Sequence, residues 1–231
     1  MIDIALNPHY CKAAVGGCPS SELYNMDCIA GMKHYPDKYF DLAIVDPPYK
    51  MKGNTFVTKS SQFTNGLASA TLDGGNVGNL TLGDRPTMEY FTELYRVSKN
   101  QIVFGMQYLV EFLIPHQCVI IWDKNNGTNR FSDAEIAWTS FDTAVRIVNK
   151  WIEPNGRIHP TQKPIRLYQW ILDTYAKKGD KILDTHVGSG TNRISCYQNG
   201  FNFVGFEIDK NYFEQSDKFF NEQIAQCRLS F

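Results

Sequence analysis

The segment GDKILDTHVGSGT, from Gly179 to Thr191, decides the fold of this 231-residue chain. It begins with a short apolar run typical of a buried strand, continues through a glycine-rich turn and ends where we expect a helix to start. Gly188 and Gly190 lack a Cβ, so the backbone can turn tightly and a ligand can approach closely. The segment therefore predicts a nucleotide-binding arrangement.

A carboxylate after the next apolar run supports this interpretation. Glu207 follows the predicted strand Phe203 to Phe206 and lies 19 residues after Gly188. A spacing of roughly 20 residues is typical of an acidic residue that binds ribose. Arg193 stands where a dinucleotide fingerprint has its third glycine. We therefore expect a nucleoside without a diphosphate, which argues against a nicotinamide-dependent oxidoreductase.

Apolar runs alternate with helical patterns along the chain, which predicts a single α/β domain over residues 1–231 with a mostly parallel sheet. The candidate strands are Glu22 to Asn25, Phe40 to Val45, Gln101 to Phe104, Cys118 to Trp122, Glu135 to Trp138, Lys181 to Asp184 and Phe203 to Phe206. The candidate amphipathic helices are Thr87 to Ser98 and Pro164 to Ala176.

Composition excludes several protein classes. Hydrophobic residues make up 43% of the chain and charged residues 20%, and no apolar run approaches the ~18 residues that a membrane span needs. The N-terminus shows no secretory signal, so we expect a cytoplasmic protein without a membrane partner. The scattered cysteines predict free thiols, and no common zinc-ligand spacing is present, so no metal is predicted.

The tetrapeptide Asp46-Pro47-Pro48-Tyr49 follows a predicted strand, at the sheet edge where α/β proteins bind ligands. The prolines fix the backbone, so the Asp46 carboxylate and the Pro47 carbonyl point in set directions. Two such acceptors can each take one N–H of an aromatic amine and aim its lone pair at an electrophile. Tyr49 can stack on the base, once that base is flipped out of a duplex. Residues 50–86 are predicted to form a long loop, which we expect to be a mobile lid.

The order of three motifs resembles that of the circularly permuted β group of the DNA amino-methyltransferases. D-P-P-Y comes first, HPTQKP from His159 to Pro164 follows, and HVGSGT from His186 to Thr191 comes last. The resemblance spans roughly Leu23 to Phe213. It implies a Rossmann-like methyltransferase fold, with a seven-stranded sheet that has one antiparallel strand. It also implies transfer of a methyl group from S-adenosylmethionine to the N6 amine of adenine in DNA.

The same resemblance implies a set of cofactor-binding residues. Asp27 would contact the adenine, Glu207 the ribose, and Thr161 and Lys163 the methionine carboxylate. The rest of the predicted set is Cys28, Asp184, His186, Gly188, Ser189, Gly190, Thr191 and Ile208.

His186 departs from the family pattern, which often has D-P-F before the glycines where this chain has D-T-H. Imidazole can still pack against the cofactor. Because histidine titrates near neutrality, we expect weaker and pH-dependent cofactor affinity.

The net charge of −1 argues against binding DNA through overall charge, because phosphate neutralisation supplies much of such affinity. A local basic patch is needed, although each of its members is equally well explained as solvated surface charge. The candidate DNA-binding residues are Lys50, Lys52, Lys124 and Arg130. Residues 125–158 would form a short target-recognition region. The resemblance also raises a homodimer and a cognate restriction endonuclease as partners, but no residue indicates an interface.

Two alternatives stay open. Methylation of the N4 amine of cytosine uses the same acceptors, although that activity more often has Ser in place of Asp46. A catalytically silent nucleic-acid-binding module with the same fold would be signalled by loss of Asp46 or of both glycines, and the chain keeps all three.

Overall fold

The computed structural model describes residues 11–12, 19–49, 85–125, 132–149 and 162–228. Its strands are β1 (Cys11–Lys12), β2 (Ser21–Asn25), β3 (Phe40–Val45), β4 (Ser98–Phe104), β5 (Val119–Asp123), β6 (Ala134–Thr139), β7 (Arg146–Val148), β8 (Lys181–Asp184) and β9 (Asn202–Glu207). Its α-helices are α1 (Cys28–Met32), α2 (Met88–Val97), α3 (Ile165–Tyr175), α4 (Thr191–Gln198) and α5 (Lys210–Arg228), and Met106–Tyr108 forms a 3-10 turn.

The strands form one sheet in the order β1-β2-β9-β8-β3-β4-β6-β5-β7. The predicted α/β class and mostly parallel sheet are confirmed, and all seven predicted strands are present. The sheet has nine strands rather than seven, because β1 and β7 add one at each edge. Two strands, β1 and β6, run against the others. The added strands span two and three residues, too few for a periodic pattern in the sequence.

Helices cover both faces of the sheet. On β3, Leu42 and Ile44 pack into one apolar cluster with α3, and Ala43 and Val45 pack into a second cluster with α2. This alternation follows from the two-residue period of a strand, and it makes β3 a central strand that is buried on both faces over its last four residues. The three-layer arrangement is that of an open α/β fold.

Both predicted amphipathic helices are confirmed. The α2 helix begins after Thr87, whose hydroxyl accepts a hydrogen bond from the Tyr90 amide at 3.4 Å. The α3 helix begins after Pro164 and buries Leu167 and Ile171, one turn apart on a single face. None of the described helices is long and apolar enough to cross a membrane.

The strand directions decide where a site can form. The carboxyl ends of β2, β9, β8, β3 and β4 lie at one edge because these strands are mutually parallel. The β6 strand is antiparallel to β4, so it brings its first residues, rather than its last, to that same edge. Ligand sites of open α/β sheets form at this edge.

Candidate active site

Asp46 follows β3 directly and its side chain is half-buried. Its Oδ2 atom accepts a hydrogen bond from the Lys163 ammonium. Its Oδ1 atom is buried and has no hydrogen-bond partner among the described residues. One oxygen of the carboxylate is therefore fixed by the protein, and the other remains a buried acceptor.

Lys163 is almost fully buried, with 2% of its side chain exposed. Besides Asp46, its Nζ atom lies 3.2 Å from Oε2 of Glu135 and 4.6 Å from the ring centroid of Phe104. Burial lowers the pKa of a lysine, but the two carboxylates outweigh it and hold the pKa of Lys163 well above its usual range. The group is a permanent cation that joins two acidic side chains.

Glu135 is a site residue that the sequence reasoning missed. It lies near the start of β6 and is paired with Trp122 of β5. Its Oε1 atom is 2.5 Å from the Lys124 ammonium. Burial opposes its ionisation, but Lys163 and Lys124 bring the pKa of Glu135 below its usual value. A glutamate beginning an otherwise apolar strand was the available signal, but the sequence does not reveal that this strand runs antiparallel.

Lys124, a predicted DNA-binding residue, therefore contacts other side chains of the protein. Its ammonium pairs with Glu135 and lies 5.5 Å from the ring centroid of Trp122, and 22% of its side chain is exposed. Part of its charge is thus neutralised within the chain. Three other predicted DNA-binding residues lie outside the described residues: Lys50, Lys52 and Arg130.

Tyr49 is half-buried and stacks on Tyr108, with ring centroids 4.5 Å apart and an interplanar angle of 13°. Gly105, immediately after β4, lets the ring approach the backbone. A Cβ on Gly105 would lie 2.6 Å from Cε1 of Tyr49, and the φ angle of Gly105 is +75°. Both the close approach and the left-handed backbone require glycine. The aromatic ring therefore rests against the end of β4, beside Asp46.

The glycine turn lies between β8 and α4, as predicted. Gly188 and Gly190 have φ angles of +52° and +79°, and α4 begins at Thr191. The Glu207 carboxylate accepts hydrogen bonds from the backbone amides of Gly188, at 2.8 Å, and Asp209, at 2.9 Å. Glu207 is 8% exposed, and burial raises its pKa. The carboxylate thus holds the turn, while each oxygen keeps a lone pair for another donor.

Asp27 and Ile208 lie beside Glu207 because β2 and β9 pair in parallel, with Asn25 opposite Glu207. Asp27 caps α1 by accepting a hydrogen bond from the Ala30 amide at 2.9 Å. The Ile208 side chain is 69% exposed. An acidic and an apolar side chain therefore border the turn.

Asn192, which the sequence reasoning did not select, links the two halves of the site. Its Nδ2 atom donates to the carbonyl of Ile44, at 3.2 Å, and to Oδ2 of Asp184, at 2.9 Å. Ile44 precedes Asp46 by two residues, and Asp184 ends β8. Burial raises the pKa of Asp184 to about 7. The end of β3, which leads into the D-P-P-Y segment, and the end of β8, which leads into the glycine turn, are thus held together by a buried amide.

His186 ends a chain of polar contacts behind the turn. The Tyr90 and Thr185 hydroxyls lie 2.7 Å apart, and Thr185 Oγ1 lies 2.9 Å from His186 Nδ1. The His186 Nε2 atom is 4.0 Å from Sγ of Cys28, a buried free thiol. Burial lowers the pKa of His186 to about 4. The expectation that this imidazole titrates near neutrality is therefore wrong, because desolvation disfavours its charged form.

The structure brings most of the predicted site residues to one edge of the sheet. The Ser189 and Thr191 hydroxyls lie 3.3 Å apart within the turn, and Pro47 is buried beside the partly exposed Pro48. Lys163 is bonded to Asp46 and Glu135, so a pairing with a methionine carboxylate would compete with both. Thr161 lies outside the described residues. Of residues 125–158, the predicted recognition region, Ala134–Thr139 and Arg146–Val148 are strands of the sheet.

Comparison with known proteins finds similarity to DNA methyltransferases. Residues 121–218 match a family described as DNA methylase. The type II methyltransferase M2.MboI of Moraxella bovis is 23% identical over 87% of this chain and 87% of its own length. The resemblance to DNA amino-methyltransferases is thereby confirmed, while the permuted motif order stays a sequence-based assignment.

Solved structures share the fold. The complex of M1.HpyAVI with SAM aligns with a TM-score of 0.56 and 21% identity, over 85% of this chain and 97% of that one. PvuII DNA methyltransferase, named as cytosine-N4-specific, aligns with a TM-score of 0.57 and 12% identity, over 87% of this chain and 86% of that one. At these identities the likeness supports the fold alone, and it extends over nearly the whole of each protein.

Proposed function

We propose that this chain is a DNA amino-methyltransferase that methylates the N6 amine of adenine in DNA. Its match to the DNA methylase family and its similarity to a type II methyltransferase support the proposal. The methyl donor is S-adenosylmethionine, which supplies an electrophilic methyl group on a sulfonium. The adenine is flipped out of the duplex to reach the catalytic edge, because a stacked base would keep its amine within the helix.

The observation that carries this proposal is that Oδ1 of Asp46 is buried and finds no hydrogen-bond partner in the part of the chain that the structure describes. A buried acceptor without a partner costs about 1–3 kcal/mol. An amine N–H of the target base would satisfy it, and the Pro47 carbonyl is our second acceptor. Together they would orient the nitrogen lone pair and stabilise the positive charge that develops on the nitrogen. Pro48 would keep the D-P-P-Y segment rigid, and Tyr49 would provide a surface on which the base stacks.

The residues around the glycine turn fit the proposed cofactor. Among the described residues, a Cβ on Gly188 would meet nothing closer than the His186 carbonyl, at 3.9 Å, so these residues leave room for a ligand beside the turn. Glu207 keeps lone pairs for ribose hydroxyls, and the exposed Ile208 side chain offers an apolar surface for adenine. We propose that Asp27 and Cys28 complete the adenine end.

The amino-acid end of the cofactor fits the opposite side of the turn. We propose that it lies against Asp184, Ser189, Gly190 and Thr191. His186, neutral at physiological pH, would present an uncharged ring. An uncharged ring does not repel a sulfonium, whereas an imidazolium would.

DNA is the proposed partner, and the protein would act in the cytoplasm of a bacterial or phage-infected cell. The partial neutralisation of Lys124 by Glu135 leaves the phosphate contacts to other basic residues. We propose that they come from the segments around Lys50, Lys52 and Arg130.

Methylation of the N4 amine of cytosine is the second candidate, since a structure named as cytosine-N4-specific shares this fold. Both amines need the same two acceptors. Mass spectrometry of nucleosides from cellular DNA, after expression of the chain in a host without its own DNA methyltransferases, separates the two. We expect 6-methyladenine. Appearance of 4-methylcytosine alone would refute the adenine assignment, and absence of both products would refute the proposed activity.

A further inference from the structure

We propose that Glu135 is a positioning residue for methyl transfer, which acts on Asp46 through the shared Lys163 ammonium. The proposal rests on the proposed function, because it assigns Asp46 as the acceptor for the target amine. Glu135 itself would touch neither substrate.

The contacts of the Lys163 ammonium carry the proposal. An ammonium has three donors. One is bonded to Asp46, Nζ lies 3.2 Å from Glu135, and the ring of Phe104 lies beneath the group at 4.6 Å. With 2% of the side chain exposed, water does not compete for these donors. Any change in the contact between Glu135 and Lys163 therefore changes how strongly Lys163 interacts with Asp46.

Strand direction explains why the second carboxylate reaches the site. Phe104 is paired with Ala137 across β4 and β6, and Glu135 lies two residues before Ala137 on β6. Because β6 is antiparallel, Glu135 projects beyond the carboxyl end of β4, where Asp46 and Lys163 meet. Lys124 reaches the other oxygen of Glu135 from the end of β5.

The four charged groups alternate in sign along a chain of contacts. Lys124, Glu135, Lys163 and Asp46 each contact the next one. Because Glu135 shares the Lys163 ammonium, the cation withdraws less electron density from Asp46. Asp46 therefore stays a strong acceptor on its free oxygen. If Glu135 is neutral, Lys163 acts on Asp46 alone, and the carboxylate becomes a weaker acceptor for the amine. In a poorly solvated site such a change affects the reaction directly.

The test compares Glu135→Gln with wild type in purified protein. The kcat is measured at saturating S-adenosylmethionine and DNA, and KM is measured for S-adenosylmethionine. We expect kcat to fall about tenfold, with KM for S-adenosylmethionine within about twofold. The fall in kcat at a nearly unchanged KM is the discriminating result, because a general loss of structure would also weaken the binding of S-adenosylmethionine. Glu135→Asp should recover part of the rate. Glu89→Gln, which removes a carboxylate from the exposed pair with Lys33, serves as the matched control.

Lys124→Met tests the same chain of contacts and should act on Asp46 in the opposite direction. Among the described residues, it leaves Glu135 with Lys163 as its one contacting cation. Glu135 then weakens the hold of Lys163 on Asp46, so kcat should stay at or above the wild-type value. This variant also serves if Glu135→Gln does not fold.

Failure of the inference is distinct from failure of the proposed function. If wild type methylates adenine and Glu135→Gln keeps its rate, or loses rate together with its affinity for S-adenosylmethionine, the inference is refuted. A kcat of Lys124→Met as low as that of Glu135→Gln refutes it as well. A wild-type protein that yields no 6-methyladenine refutes the proposed function instead.

Discussion

The Lys163 ammonium donates to Oδ2 of Asp46 and leaves Oδ1 of the same carboxylate buried without a partner among the described residues. These two residues lie 117 positions apart in the chain. A hydrogen bond to a buried cation fixes the rotation of the carboxylate, so that the free oxygen has one direction in which to accept. The preorganisation expected from the two prolines is thus extended to the side chain by a residue from the other half of the protein.

Gly105→Ala should lower kcat about tenfold or more while S-adenosylmethionine binding is retained. The added methyl would lie 2.6 Å from the Tyr49 ring, and displacing that ring misplaces the stacking surface for the base. Gly200→Ala is the matched control. Its φ of +79° resembles the +75° of Gly105, but a Cβ there would meet nothing within 4 Å. Both variants should lose roughly 1–2 kcal/mol of stability from the left-handed backbone. Equal kcat in the two variants would contradict the role of Tyr49.

Glu207→Gln should weaken S-adenosylmethionine binding in calorimetry. The variant loses the charged acceptor that we propose for the ribose hydroxyls, and it also loosens the contacts of Glu207 with the Gly188 and Asp209 amides. Hydrogen bonds to a charged group contribute about 1.5–3 kcal/mol, which corresponds to roughly tenfold to hundredfold in Kd. Glu214→Gln, in an exposed pair with Lys210 on α5, should leave Kd unchanged. An unaltered Kd in Glu207→Gln would exclude this carboxylate from the cofactor site.

His186→Phe should retain or improve S-adenosylmethionine binding. The wild-type ring is neutral above its pKa of about 4, so a neutral aromatic ring can replace it. For the same reason, no change in wild-type affinity between pH 6 and 8 should originate from His186. A large loss of affinity on calorimetry would instead reveal a specific polar role for the chain from Tyr90 through Thr185 to the imidazole.

Stability against pH gives an independent test of His186. Its pKa falls from 6.5 in the unfolded chain to about 4 in the fold, so the unfolded state binds more protons between these values. Wild-type stability should therefore fall as pH drops from 6.5 towards 4, by about 3 kcal/mol at most, relative to His186→Phe. Asp184, with a pKa of about 7, acts with the opposite sign, since the folded state takes up its proton first. The difference in stability between wild type and His186→Phe isolates the contribution of the histidine. If the two proteins lost stability equally between pH 6.5 and pH 4, the lowered pKa of His186 would be contradicted.

Much of the fold is predictable from the sequence because its signals are local. The glycine turn, the seven apolar strands and the two amphipathic helices each have a pattern within a few residues, and all are present. The D-P-P-Y segment and Glu207 lie at the predicted edge for the same reason, since parallel strands end there.

The missed features depend on strand direction or desolvation. Glu135 reaches the site because β6 is antiparallel, and no residue in the strand encodes that direction. The shifted pKa of His186 and the bonding of Lys163 to two carboxylates arise from burial among elements distant in sequence. Asn192 follows the same logic, because its partners Ile44 and Asp184 belong to different strands. A residue type predicts its chemistry, but its partners are decided by packing.

The central claim is that Asp46 accepts the target amine, and Asp46→Ala tests it most directly. Purified wild type and variant are compared for S-adenosylmethionine binding by calorimetry and for formation of 6-methyladenine in DNA by mass spectrometry. We predict that the variant binds the cofactor with a Kd close to that of wild type and forms no 6-methyladenine. Methylation of adenine by Asp46→Ala at the wild-type rate would contradict the account.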